Sequence, residues 1–128
     1  MKNLTYFIMG ALLVTLALVF ATKAVMAQDP VKVAPEQYKV LLENDRVRVL
    51  EYTVKPGGKS PMHSHPAYIL YSFTDSKGKA TTSDGKTAET DIKADEAVWH
   101  EAETHAVEIV GTTEAHGLII ELKEPQKK

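Results

Sequence analysis

Two histidines one residue apart, His63 and His65, stand in the stretch PMHSHPAYILY, just after the turn Pro56-Gly57-Gly58. Side chains alternate faces along an extended strand, so these imidazoles share one face, about 6 to 7 Å apart by the strand rise. Neutral imidazole nitrogen suits divalent transition metals, and a twisted strand lets two such rings converge on one ion. The same pair also fits two surface histidines on a sheet edge. A metal site needs a third ligand from a distant strand, and three more histidines are on offer: His100, His105 and His116. His105 opens the alternating run HAVEIV and shares its face with Val107 and Ile109, which read as core. Taken alone it fits a buried, hydrogen-bonded histidine. His100 fits a surface or packing position, and His116 a structural or exposed one.

Other residues near the histidines bear on a pocket. Tyr68, Tyr71, Trp99 and His100 are candidates to line one, although large aromatics fit an ordinary core equally well. Glu101 and Glu103 read most simply as solvated loop carboxylates, the other reading being a partner to a ligating histidine.

The elements that must position these groups read as strands. YKVLLENDRVRVLEYTV holds two apolar runs around Glu43-Asn44-Asp45, the second close to a period of two. HSHPAYILYSF reads as one strand with a bulge, kink or edge at Pro66. DSKGK reads as a turn. KATTS and TAETDI form a hairpin on Asp84-Gly85, and ADE turns the chain into AVW. HAVEIV and AHGLIIELK close the domain, and EPQKK is a frayed tail. No segment after the N-terminus carries a helical period. Eight or nine short strands at regular spacing predict an all-β jelly roll.

The N-terminus is a separate matter. Lys2, an apolar run over 4–21 and the small residues Val25 and Ala27 before Gln28 are features of a secretory signal. The expected division is 1–27 signal peptide with its helix, 28–37 linker or N-terminal arm, 38–123 the domain and 124–128 the tail. Export to the periplasm or beyond follows, with an uncleaved anchor through residues 4–21 as the alternative. The chain has 128 residues, enough for one domain. It has no cysteine, which excludes disulfides and cysteine lipidation. With 15 basic and 17 acidic residues and no basic cluster, it is a poor match to nucleic acid.

GGKSPMHSH, followed some forty residues later by WHEAETHAVEIVG, resembles the two motifs of the cupin superfamily, in particular its small single-domain members. Gly57, His63 and His65 match the first motif at the family's spacing, and His105 takes the histidine place of the second. The resemblance covers roughly Tyr38 to Lys123. It implies a double-stranded β-helix and a metal site built from His63, His65 and His105. The departures are specific. The family's glutamate place falls on Ile69 or Leu70, which cannot ligate. Ala94 and Ala102 stand where glycines are usual, His100 where proline is, and Ile109 where asparagine is.

A three-nitrogen site suits Fe, Mn, Ni or Zn rather than Ca or Mg, which prefer oxygen. Without the carboxylate the ion would be a stronger Lewis acid and would favour an anionic chelating substrate. The resemblance therefore implies an exported small cupin acting on a small chelating acid or diketone-like molecule, in the manner of a dioxygenase. The alternatives are a non-catalytic binding module and a metal-free relic. It also implies a homodimer, with residues 28–37 as the exchanged arm.

Overall fold

A computed structural model describes residues 28–125. The signal peptide and its helix, the alternative anchor over 4–21 and the end of the tail lie outside the described residues. Among the described residues there is one helical turn, α1 (Pro30–Val33), and nine strands. The strands are β1 (Tyr38–Glu43), β2 (Val47–Val54), β3 (Lys59–His65), β4 (Tyr68–Ser72), β5 (Ser76–Thr82), β6 (Thr87–Ile92), β7 (Ala97–His100), β8 (Glu103–Ile109) and β9 (Ala115–Leu122).

They form two antiparallel sheets, one in the order β1-β2-β9-β4-β7 and the other in the order β3-β8-β5-β6. Consecutive strands repeatedly change sheets, which rolls the pair into a jelly roll. The expected all-β class and strand number hold. Alternation explains the packing. Along β9, Ala115, Gly117, Ile119 and Glu121 are buried while their neighbours are half-buried. Leu50, Tyr52 and Val54 do the same on β2, and Tyr68, Leu70 and Ser72 on β4. Inward side chains of the two sheets meet as one core.

Three local expectations need correction. Pro66 does not kink a single strand: it ends one and precedes another, because β3 and β4 belong to different sheets. Proline lacks the N–H that a continuing ladder requires. DSKGK is not a turn throughout, since β5 already begins at Ser76. Residues 28–37 are not a free linker. Asp29 caps α1 by accepting from the Val31 N–H at 2.9 Å, with Pro30 in the first helical position. Pro30 and Ala34 are buried, and the Ser64 N–H donates to the Gln28 carbonyl at 2.8 Å. The segment offered for exchange thus packs on this chain's own β3. The Asp84-Gly85 hairpin stands as expected, with Gly85 in the left-handed region at φ 85°.

Candidate metal centre

The β3–β8 ladder sets His63 directly opposite His105, and His65 opposite Glu103. Opposed residues in an antiparallel pair share a face, so four metal-ligand side-chain types form a square on the inner surface of one sheet. The three histidines are 0%, 4% and 9% exposed in chain order. Ring centroids lie 4.8 Å apart for His63–His65 and His63–His105, and 5.4 Å for His65–His105. One ring nitrogen from each lies within 4.8 Å of the others. The distant third ring therefore meets the first two.

The Nδ1 atoms all face acceptors. His63 Nδ1 donates to the Pro61 carbonyl at 2.7 Å. His65 Nδ1 donates to Glu121 Oε2 at 2.8 Å. His105 Nδ1 lies 3.3 Å from Glu103 Oε1. A carbonyl or a carboxylate can only accept, so Nδ1 carries a proton in His63 and His65, and Nε2 is the nitrogen each can offer to an ion. His63 Nε2 is buried with no partner among the described residues. An orphaned polar atom of this kind costs about 1–3 kcal/mol unless something binds it. Burial, ahead of the charges around them, pushes the His63 and His105 imidazoles below their ordinary pKa. Both are therefore neutral near pH 7, the form that ligates. A donor set of three imidazole nitrogens, one of them orphaned, fits a divalent transition metal.

Two carboxylates back the rings. Glu121 is 2% exposed and accepts from Arg48 Nε at 2.6 Å as well as from His65. Burial would raise its pKa, but the His65 and Arg48 hydrogen bonds outweigh that and hold it below the usual carboxylate value. Glu103 accepts from the Tyr68 hydroxyl and lies 3.4 Å from His100 Nδ1. Tyr68 and His100 stack with centroids 4.6 Å apart, 5° from parallel. Burial, and then Glu103, raise the Tyr68 pKa, so the phenol stays protonated.

A cavity of about 190 Å³ opens beside these groups, lined by His65, Tyr68, His100, Glu103 and His105. Its walls also include Leu70 of β4, Ile109 of β8, Ala80 of β5, and Ala115 and Ile119 of β9. Tyr71 and Trp99 do not line it. Tyr71 alternates out of phase with Tyr68 and Leu70 and bonds Asp95 at the surface. Trp99, on edge strand β7, is 52% exposed and donates to Glu101 at 2.8 Å. Of the residues expected to form a pocket, the cavity takes Tyr68 and His100.

The sequence reading missed Glu121, Arg48 and Asp29 and placed Glu103 in a loop. A signal for Glu121 was present: it continues the inward phase of Ala115, Gly117 and Ile119, where a carboxylate needs a partner. Nothing local marks Asp29 or Arg48, because their pairing joins residues 19 apart, with α1 and β1 between them.

The fold is similar to that of a cupin domain from Bordetella pertussis Tohama I, with a TM-score of 0.63 and 26% identity over 68% of this chain and 92% of that one. This chain is a small cupin-superfamily protein. An RmlC-like cupin family protein with a double-stranded β-helix fold, from Methanocaldococcus jannaschii, shares the fold at TM-score 0.55 and 12% identity, over 70% of this chain and 81% of that one. A polyketide cyclase from Streptomyces resistomycificus shares it at TM-score 0.50 and 22% identity, over 70% and 66%. No family model matches the cupin described here, and no curated protein does. The glutamate place of the resembled motif falls on Ile69 or Leu70, of which Leu70 lines the cavity.

Proposed function

We propose that this cupin binds one divalent transition ion, Fe, Mn, Ni or Zn, through His63, His65 and His105, and takes a small chelating organic acid or diketone-like molecule into the adjoining cavity. The observation that carries the reading is the set of three buried rings whose Nδ1 atoms all face acceptors. Such an ion supplies Lewis acidity and, as Fe(II), one-electron chemistry with dioxygen.

The protein's own groups limit the substrate. An apolar cavity of about 150 Å³ is enough to hold benzene, so about 190 Å³ takes a compact molecule and little more. Leu70, Ile109 and Ile119 favour an apolar body. At the other end the Tyr68 hydroxyl, whose proton goes to Glu103, can accept from a substrate hydroxyl, and His100 lies stacked on it 3.4 Å from the same carboxylate. The reaction class that fits is dioxygenase-type. The signal-like residues 1–27 add export to the proposal, which N-terminal sequencing of secreted protein beginning at Gln28 would support.

The test is dioxygen uptake by Fe(II)-loaded protein against a panel of small carboxylic acids and β-diketones. Uptake with at least one compound, lost in Tyr68→Phe or His105→Ala, supports the enzyme. Binding of panel compounds without uptake makes the protein a binder rather than an oxygenase.

A further inference from the structure

Behind His65 runs a chain of charged groups that leaves the sheet holding the histidines. His65 Nδ1 donates to Glu121, whose second oxygen accepts from Arg48 Nε. The other two nitrogens of Arg48 clasp Asp29, Nη1 to Oδ2 at 2.7 Å and Nη2 to Oδ1 at 3.1 Å. Asp29 in turn caps α1 through the Val31 N–H. The same N-terminal segment reaches β3 directly, because the Ser64 N–H between the two histidines donates to the Gln28 carbonyl.

Each link is short and directional. A guanidinium presents its donors in a rigid fork, so fixing two of them on Asp29 fixes the third on Glu121. Glu121 is 2% exposed, so it has no water shell to fall back on and depends on these partners. The orientation of the His65 ring is thereby tied to the position of Asp29, in the segment that docks on β3.

We infer that Glu121, Arg48 and Asp29 are positioning residues for His65, and that the docked N-terminal segment is a working part of the metal site. This rests on the metal reading above. It means that trimming or displacing residues 28–34 loosens the ion, even though none of them touches it.

Two variants separate this role from plain folding. Asp29→Asn keeps the side-chain oxygen that caps α1 but removes the charge that Arg48 clasps. Glu121→Gln keeps the shape but removes the carboxylate from His65. Zn(II) affinity of the full chain is measured by competition with a chromophoric chelator. The metal-free proteins are compared by imidazole ¹⁵N shifts, which report which ring nitrogen of His65 carries the proton. Loss of an outer partner typically costs 10–100-fold in metal affinity. Glu121→Gln should fall in that range and Asp29→Asn near its lower edge. His65 should be held as the Nδ1–H form in the parent and mix tautomers in both variants.

Parental affinity and parental shifts in both variants would overturn the inference. An effect of Glu121→Gln with none of Asp29→Asn would overturn its N-terminal half. If Glu121→Gln does not fold, Asp29→Asn decides alone. If the parent itself binds no Zn(II), the metal reading fails, and the ring shifts still decide whether the chain orients His65.

Discussion

Strands β3 and β5 flank β8 in one sheet and face the same interior, yet they bring opposite things to it. The inward positions of β3 end in His63 and His65. Those of β5 are Ser76, Gly78 and Ala80. On β8, His105 lies opposite His63 on one side, while Val107 and Ile109 lie opposite Ala80 and Gly78 on the other. One strand supplies ligands and the other supplies room. A close-packed interior leaves few voids larger than a water, so a cavity of about 190 Å³ beside three imidazoles depends on small residues standing opposite. Chemistry and space are thus separately encoded, and separate substitutions should abolish each.

His63→Ala attacks the ligand strand and should have the largest effect. It removes a donor outright, so Zn(II) affinity should fall by more than the roughly 100-fold upper range for outer partners. Calorimetry with the parent affinity retained would break the comparison. Ala80→Leu attacks the roomy strand. It should leave Zn(II) affinity where it was and eliminate binding of a small apolar probe such as benzene, read by chemical-shift perturbation. Loss of metal together with the probe would show that the two functions are not separable.

Gly117, in the facing sheet, sharpens the contrast. A Cβ there would come within 2.3 Å of the Tyr71 carbonyl oxygen and 2.9 Å of Ser72 Cα, both backbone. At Gly78 its nearest neighbour would be the Thr90 hydroxyl, at 2.8 Å, which can rotate away. Gly117→Ala should cost about 1–3 kcal/mol by overpacking, or about 4–8 °C in melting temperature per kcal/mol in a domain of this size. Gly78→Ala should cost less, and the reverse order would contradict the account. The smallest expected effect is on pH. His63 and His105 titrate lower folded than unfolded. The unfolded chain therefore takes up protons first, and stability of the metal-free protein should decline as pH falls from about 7 through the unfolded histidine value of about 6.5. In His63→Ala that decline should be shallower, and an equal slope would count against burial as its cause.

Much of this was legible because period-two alternation is local. It put His63 and His65 on one face, and the inward phase of HAVEIV brought His105 with Val107 and Ile109 onto the same surface. Alternation alone did not say which strands pair, so Glu103, opposite His65 only through the β3–β8 register, read as a loop residue. Tyr71 and Trp99 were attractive by size, but phase and edge position turn both outward. The Asp29–Arg48–Glu121 chain joins three separate segments, a relation that no window along the sequence contains.

The central claim is that three rings from two remote strands hold one ion. Elemental analysis of protein purified without an affinity tag tests it most directly. The account predicts about one equivalent of a transition metal, lost in His63→Ala and in His105→Ala. A content near zero after incubation with Fe(II), Mn(II), Ni(II) and Zn(II) in turn, and the same in both variants, would contradict it.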